Sequence, residues 1–306
     1  MRRPYPIAEH ELSFLQRLQS PESVISVELR PPRAELASAE GMDAWIDIYH
    51  AIKSLARRHV PVMITDSAVG AQEENNLRHL VANLGAPVAR ANVVPFLTCK
   101  HSLEFCQGYA DQAVHHGFES LVVLGGDKHV GRPRCVEHAW QLRKMIRARH
   151  PRLELGGWAN PSASAAEQVD FLLNAEANAD FYLTQIVSHH QADAVRDFLD
   201  EGRRRGVTTP GVFGVFYYRS ANAKTLAALS KFLPVPAAEL TAEFKTSSPV
   251  EVCGRTIRTL IELGARHFYI SNLPLHGTAA ALNAILELAG IKHQISDIGY
   301  KSLTSR

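Results

Sequence analysis

The sequence predicts an α/β fold, a single-domain (β/α)8 or TIM barrel. Short apolar runs alternate with longer amphipathic segments along the chain, an order that implies a parallel sheet. Eight such β-then-α units occur, the number that closes a barrel. A doubly wound open sheet is the alternative, but no early G-x-G-x-x-G supports it. The 306 residues are 46% hydrophobic and 21% charged, which suits one globular unit with a full core.

Strands are predicted where apolar runs of five to seven residues are bounded by Gly, Pro or polar turns. In the first run, VISVEL, alternation puts Ser26, Glu28 and Arg30 on one face and the apolar residues between them on the other. In a barrel the apolar face packs against helices and Glu28 faces the mouth. The predicted strands are residues 24–29, 61–65, 91–97, 119–124, 153–158, 180–186, 210–216 and 267–271.

Amphipathic segments between the strands are predicted as helices. Two of them, 222–232 and 249–264, lie between the seventh and eighth strands. The others are 41–58, 72–84, 102–116, 134–149, 164–177, 190–205 and 276–289. No interdomain linker is evident, so residues 1–306 are expected to form one barrel, with an N-terminal extension over 1–20 and a C-terminal tail over 290–306.

Charge and hydropathy exclude several classes of protein. The formal net charge is +2, and no Lys/Arg run forms a stripe for nucleic acid. No run of about 18 apolar residues predicts a membrane span, and the basic N-terminus lacks the apolar region of a secretory signal. The four cysteines have no CxxC spacing, which indicates free thiols in a reducing cytoplasm.

Motifs for other chemistries are absent from the sequence. There is no P-loop and no Gly-x-Ser-x-Gly elbow. The adjacent histidines at 115–116 and 189–190 do not face one another on a helix, where ligands favour an i,i+4 spacing, so no metal site is expected.

Polar residues follow several predicted strands, at the face where TIM barrels carry their active sites. Glu28 is near the end of strand 1, Asp127 follows strand 4 after two glycines, and Gln185 lies at the end of strand 6. Each also has a structural alternative. Glu28 can pair with Arg30 or Arg33, Asp127 can cap a loop or helix, and Gln185 can satisfy backbone groups of the barrel.

Five segments at these strand ends carry a family pattern: SVELRPPR, FLTCKHS, VLGGD, ADFYLTQIVSH and HFYISN, in that order. Together they resemble the methylenetetrahydrofolate reductase family. That family shows a Glu-containing first strand followed by Pro-Pro, a His-Leu-Thr-Cys strand, an Arg-Gly-Asp strand end, a Thr-Gln strand end and a His-Phe-Tyr strand. The resemblance runs from about residue 24 to about 289, and the chain is similar to the short bacterial form without the regulatory region of animal members.

The resemblance implies interconversion of 5,10-methylenetetrahydrofolate and 5-methyltetrahydrofolate with NAD(P)H, a step of methionine biosynthesis. Glu28 matches the general acid that protonates a folate nitrogen and opens the methylene bridge. Asp127 and Gln185 match residues that contact the pterin, and Tyr218, or its neighbour Tyr217 or Phe216, matches a stacking aromatic. The positions that match cofactor contacts are Thr65, Thr98, Gly126, Asp127 and Trp158.

The sequence departs from the family at the positions that hold FAD, the flavin that relays the hydride in most members. Phe96 stands where the family has His, Gly125 where it has the Arg of Arg-Gly-Asp, and Leu173 and Asn174 where it has a basic pair. Charge-assisted phosphate contacts are strong, so their joint loss predicts weak or absent FAD binding and direct hydride transfer from NAD(P)H. Candidates to replace them are Lys128, Arg132, Arg134, Ser162 and Ser164.

Two other functions fit the same pattern. A barrel that transfers a methyl or one-carbon group from folate without redox chemistry would use Asp127 and Gln185 but no nicotinamide. A non-catalytic folate-binding barrel is disfavoured because Glu28 is present at its expected place.

Overall fold

The computed structural model describes residues 12–32, 38–67, 76–84 and 88–291, and its strands form a closed parallel barrel. Neighbours in sequence are neighbours in the sheet, and the last strand pairs with the first. Each strand begins and ends within two residues of its predicted span, so the (β/α)8 prediction is confirmed. The strands are β1 (Ile25–Leu29), β2 (Val62–Ile64), β3 (Val93–Thr98), β4 (Ser120–Leu124), β5 (Glu154–Ala159), β6 (Phe181–Val187), β7 (Gly211–Phe216) and β8 (His267–Ser271).

The helices surround this sheet. They are α1 (Phe14–Gln19), α2 (Ser38–Ala56), α3 (Asn76–Asn83), α4 (Leu103–His115), α5 (Ala139–Arg149), α6 (Ala165–Leu173), α7 (Ala192–Arg205), α8 (Ala223–Leu229), α9 (Ala237–Glu243), α10 (Pro249–Leu263) and α11 (Thr278–Ala289). None of the described helices combines the length and the hydropathy needed to cross a bilayer.

The main differences from the predicted elements concern the helices. The helix predicted over 134–149 begins only at Ala139, because the preceding chain crosses the end of β3, where the Cys135 amide donates to the Cys99 carbonyl at 2.7 Å. The short helices α1 and α9 were not predicted, since neither is long enough to show a helical period. Residues 1–11 of the predicted extension, 72–75 of a predicted helix and 292–306 of the predicted tail lie outside the described residues.

Strand alternation divides the core into two layers. Ile25, Val27 and Leu29 belong to the outer cluster, which fills the space between sheet and helices. A second cluster fills the barrel interior, with Met63 and Phe96 among its members. The predicted faces of β1 are therefore confirmed, and Glu28 lies on the interior side.

The helix α1 packs against the end of the barrel where the strands begin. Phe14 and Leu18 are buried in the interior cluster, and the Phe14 ring meets Phe181 edge-on at 5.2 Å between centroids. The Ser13 hydroxyl donates to Glu154 at the start of β5, and the Leu15 amide donates to the same carboxylate at 3.1 Å. This end is thus filled, and the opposite end remains as the mouth.

Two glycines make room for large interior side chains. A Cβ on Gly156 would lie 2.6 Å from the Phe181 ring, and one on Gly214 would overlap the Tyr269 hydroxyl. Tyr269 spans the interior and donates to the Thr184 carbonyl at 2.6 Å. The barrel interior is therefore a packed core below the mouth, as is general for this fold.

Candidate functional site

Glu28 lies near the end of β1 and is partly exposed at the mouth. Its neighbours across the sheet are Met63 on β2 and Ser271 on β8, and the Ser271 hydroxyl donates to Glu28 Oε1 at 2.8 Å. Burial raises the pKa of Glu28, and the Ser271 hydrogen bond and the Arg30 charge oppose that rise only in part. A carboxyl with a raised pKa keeps its proton closer to neutral pH, as a proton donor requires.

A network centred on Asp66 joins the ends of β2 and β3. Asp66 Oδ2 accepts from the Thr98 amide at 2.7 Å and the Thr98 hydroxyl at 2.9 Å, and Oδ1 accepts from the Ser67 amide at 2.8 Å. His101 Nε2 lies 2.8 Å from Asp66 Oδ2. Sequence reasoning missed Asp66 and His101, although an Asp directly after strand 2 was a usable signal.

The two threonines predicted as cofactor contacts occupy different settings. The Thr98 side chain is buried and already engaged by Asp66. Thr65 is partly exposed, and its amide donates to the Leu29 carbonyl at 3.1 Å, which extends the pairing of β1 and β2. Thr65 is therefore the more accessible of the two at the mouth.

The loop after β4 is held by two basic side chains. Lys100 is buried, and its Nζ donates to the carbonyls of Val130 at 2.8 Å and Arg132 at 2.6 Å. The Arg134 guanidinium lies against Gly125, where a Cβ would meet its Cζ at 2.8 Å, and it donates to the Gly126 carbonyl. The positively charged Arg134 side chain, at the far end of the loop, thus lies beside Gly125.

Asp127 orders the same loop. Its Oδ1 accepts from the amides of His129 at 2.8 Å and Val130 at 3.0 Å. These hydrogen bonds, the His129 amide foremost, lower the pKa of Asp127, so the carboxylate is ionised at neutral pH. The structural alternative foreseen for Asp127 is present, and its role in binding stays a prediction.

Two substitutions separate these roles of Asp127. We expect Asp127→Asn to keep the loop, because an amide oxygen accepts the same two hydrogen bonds, and to weaken substrate binding through loss of the charge. Asp127→Ala loses the loop contacts as well, at about 1–3 kcal/mol. Equilibrium binding of a reduced folate and thermal unfolding of both variants measure this, and equal binding by wild type and Asp127→Asn would leave Asp127 a structural role only.

Gln185 lies at an irregularity of β6, where the register with β7 shifts between Leu183 and Ile186. Such irregularities re-aim side chains near active sites. The Gln185 Oε1 accepts from the Ile186 amide at 2.9 Å, so the backbone role foreseen for Gln185 is also present. Its amide NH2 is the part of the side chain that remains to donate to a ligand.

Aromatic side chains differ in their access to the mouth. Trp158 near the end of β5 is 37% exposed. Tyr218 is 5% exposed and packs with Leu226 and Leu240 in a separate cluster, and burial raises its pKa to about 12. Phe216 ends β7, is partly exposed and pairs in register with Ser271, the partner of Glu28. Phe216, named above as the alternative, is therefore the more exposed of these two rings, and which of them stacks on a ligand stays a prediction.

The positions that diverge from the family carry neutral side chains. Phe96 is buried in the barrel interior, Leu173 is exposed at the end of α6, and Asn174 Oδ1 accepts from the Glu176 amide at 2.9 Å. Ser164 is used as the N-cap of α6. At these positions a pyrophosphate would contact no positively charged side chain. At Gly125, by contrast, the Arg134 guanidinium lies close by. This donor set fits the phosphates of FAD poorly.

The C-terminal strand ends thus bring a carboxyl of raised pKa, an amide and open aromatic rings to one face. The architecture is that of a TIM barrel, the class of proteins whose sites lie at this face. The chain belongs to the methylenetetrahydrofolate reductase family, whose model matches residues 13–273. The match covers every strand of the barrel, so the family seen in the sequence is confirmed.

Two solved structures align with most of this chain. An uncharacterized protein from Clostridium thermocellum, which binds two copies of 5-methyl-5,6,7,8-tetrahydrofolic acid, aligns with a TM-score of 0.61 at 15% identity over 90% of this chain and 96% of its own. UMP synthase from Leishmania donovani aligns with a TM-score of 0.49 at 14% identity over 92% of this chain and 57% of its own. The first likeness supports the barrel fold. A search of curated proteins gave no match.

Proposed function

We propose that this protein interconverts 5,10-methylenetetrahydrofolate and 5-methyltetrahydrofolate with NAD(P)H, with Glu28 as the general acid. The observation that carries the proposal is Glu28 itself, a partly buried carboxyl of raised pKa at the mouth of a barrel of this family. The folate bound by the Clostridium thermocellum protein supports a folate ligand for this chain too.

In the proposed reaction Glu28 donates its proton to the folate nitrogen that forms one end of the methylene bridge. The bridge opens to an iminium, and the nicotinamide hydride reduces its carbon to a methyl group. One proton and one hydride are consumed, and NAD(P)+ and 5-methyltetrahydrofolate are released. Ser271 keeps the Glu28 carboxyl oriented toward the mouth through its 2.8 Å hydrogen bond.

Binding of the flat pterin ring is assigned to the surrounding strand ends. The ionised Asp127 carboxylate and the Gln185 amide supply hydrogen-bonding groups, and Trp158 or Phe216 supplies an open ring face. A site that orients a small flat ligand needs a few well-placed polar groups and an aromatic ring face on which the ligand can stack.

The hydride is proposed to pass directly from NAD(P)H, without a tightly bound flavin. Support comes from the neutral side chains at Phe96, Leu173 and Asn174, which replace the partners of the flavin phosphates. Arg134 beside Gly125 restores one cation of that set.

One pair of measurements tests the proposal. The purified protein is expected to lack flavin absorbance after gel filtration and to oxidise NADH or NADPH only when methylenetetrahydrofolate is present. Flavin that co-elutes with the protein would contradict direct transfer and leave the reaction itself intact. Folate binding without nicotinamide oxidation would favour the non-redox one-carbon barrel.

A further inference from the structure

A second group of polar side chains lies between the turn after β6, the end of α9 and the helix α10. His189 and His190 occupy the turn, and Glu243 ends α9. Glu243 Oε2 lies 3.1 Å from His189 Nε2 and 2.8 Å from His190 Nε2. The three side chains are 11%, 19% and 7% exposed, so the group is largely withdrawn from solvent.

The turn explains how two adjacent histidines reach one carboxylate. Residues His189–Gln191 form a 3-10 turn rather than an α-helix, and the two rings lie 4.0 Å apart between centroids. Adjacent histidines point in different directions on an α-helix, but this turn is not an α-helix, so His189 and His190 can face the same carboxylate.

The hydrogen bonds around His189 set its tautomer. The buried Thr256 hydroxyl donates its one proton to the Val252 carbonyl at 3.0 Å, so its oxygen accepts from His189 Nδ1 at 2.8 Å. With the proton on Nδ1, neutral His189 presents a lone pair on Nε2 to the Glu243 oxygen. Two lone pairs facing each other at 3.1 Å repel unless a positive charge lies between them.

The distances suit a small transition-metal ion. Bonds of about 2.0–2.1 Å to a tetrahedral zinc ion place neighbouring ligand atoms about 3.3 Å apart. The two contacts of Glu243 Oε2 are a few tenths of an ångström shorter, and the three ligand atoms all lie within 4.8 Å of one another. Arg255 holds the other carboxylate oxygen, so Glu243 offers Oε2 alone as a ligand. Imidazole ligands favour zinc-class ions over Mg²⁺ and Ca²⁺.

We propose that His189, His190 and Glu243 bind one divalent transition-metal ion of the zinc class, with Thr256 holding His189 in the tautomer that coordinates. The fourth ligand would come from solvent. The ion would tie the turn after β6 to α9 and α10, which makes it a stabilising site. It is independent of the folate reaction proposed above.

Metal titration of the whole chain, freed of metal with a chelator, tests this. We expect one equivalent of Zn²⁺ by calorimetry, a tetrahedral visible spectrum with Co²⁺, and a rise of several degrees in Tm with Zn²⁺ but not with Mg²⁺. Glu243→Gln and His190→Gln are expected to abolish the Co²⁺ spectrum. Thr256→Val, which removes the hydroxyl that contacts His189 and leaves the three ligands in place, should weaken binding about 10- to 100-fold.

His115 and His116 provide a matched control. They are also adjacent in sequence, with rings 4.9 Å apart, and among the described residues no carboxylate is recorded in contact with both rings. Changing both to Gln should leave the stoichiometry and the Co²⁺ spectrum as in wild type. The proposal is overturned if wild type binds no Zn²⁺, or if Zn²⁺ binding survives in both folded ligand variants.

Discussion

Replacing Glu28 with Gln is expected to lower kcat for NAD(P)H-dependent reduction of methylenetetrahydrofolate by about 100-fold or more, with folate binding nearly unchanged. The Gln amide has the same shape and its oxygen still accepts from Ser271, but it has no acidic proton to give. Steady-state kinetics together with equilibrium folate binding measure the two effects separately. Full activity in Glu28→Gln would remove Glu28 from the mechanism.

The stability of the same variant serves as its control. Because burial raises the pKa of Glu28 above its ordinary value, the folded state favours the protonated form. The contribution of Glu28 to stability is therefore complete below the unfolded pKa and is lost as the pH rises through the folded pKa. Glu28→Gln removes this loss, so at neutral pH its Tm should equal or exceed that of wild type. A lower Tm would point to a structural cause of lost activity.

Replacing Phe14 with Ala is expected to lower the free energy of unfolding by about 3–5 kcal/mol. Phe14 is fully buried at the closed end of the barrel, against Phe181, and its removal leaves a cavity that the surrounding strands cannot fill. Urea unfolding followed by circular dichroism measures the change. A loss below about 1 kcal/mol would mean that α1 contributes little to the barrel.

A matched substitution elsewhere isolates the effect of burial. Phe171 on α6 is 57% exposed, so Phe171→Ala removes the same ring without opening a cavity. Its cost is expected to stay within about 0.5 kcal/mol, the range of most surface substitutions.

The sequence predicted the barrel well because strand patterns are local. Alternation with a period of two residues placed Glu28 opposite Ile25, Val27 and Leu29, and the structure puts the apolar set against the helices. The short helices α1 and α9 were not predicted, because six or seven residues do not reveal a helical period.

The candidate site was predicted less completely, because it depends on contacts between distant segments. Asp66 directly follows the second predicted strand, but nothing local in the sequence marks it as the partner of Thr98 and His101. Tyr218 and Phe216 are two residues apart, and only the packing of α8 and α9 shows that Tyr218 is covered. Thr98 matched a cofactor position, yet its hydroxyl is engaged by Asp66.

The sequence by itself determined the number and order of the strands, the orientation of Glu28 and the family. Each of these follows from local alternation or from motifs within single segments. Only the tertiary structure decided that Arg134 lies against Gly125, that α1 fills one end of the barrel, and that Glu243 meets His189 and His190. These contacts join residues up to 167 positions apart, as between Phe14 and Phe181, and chain folding rather than local pattern sets where such segments meet.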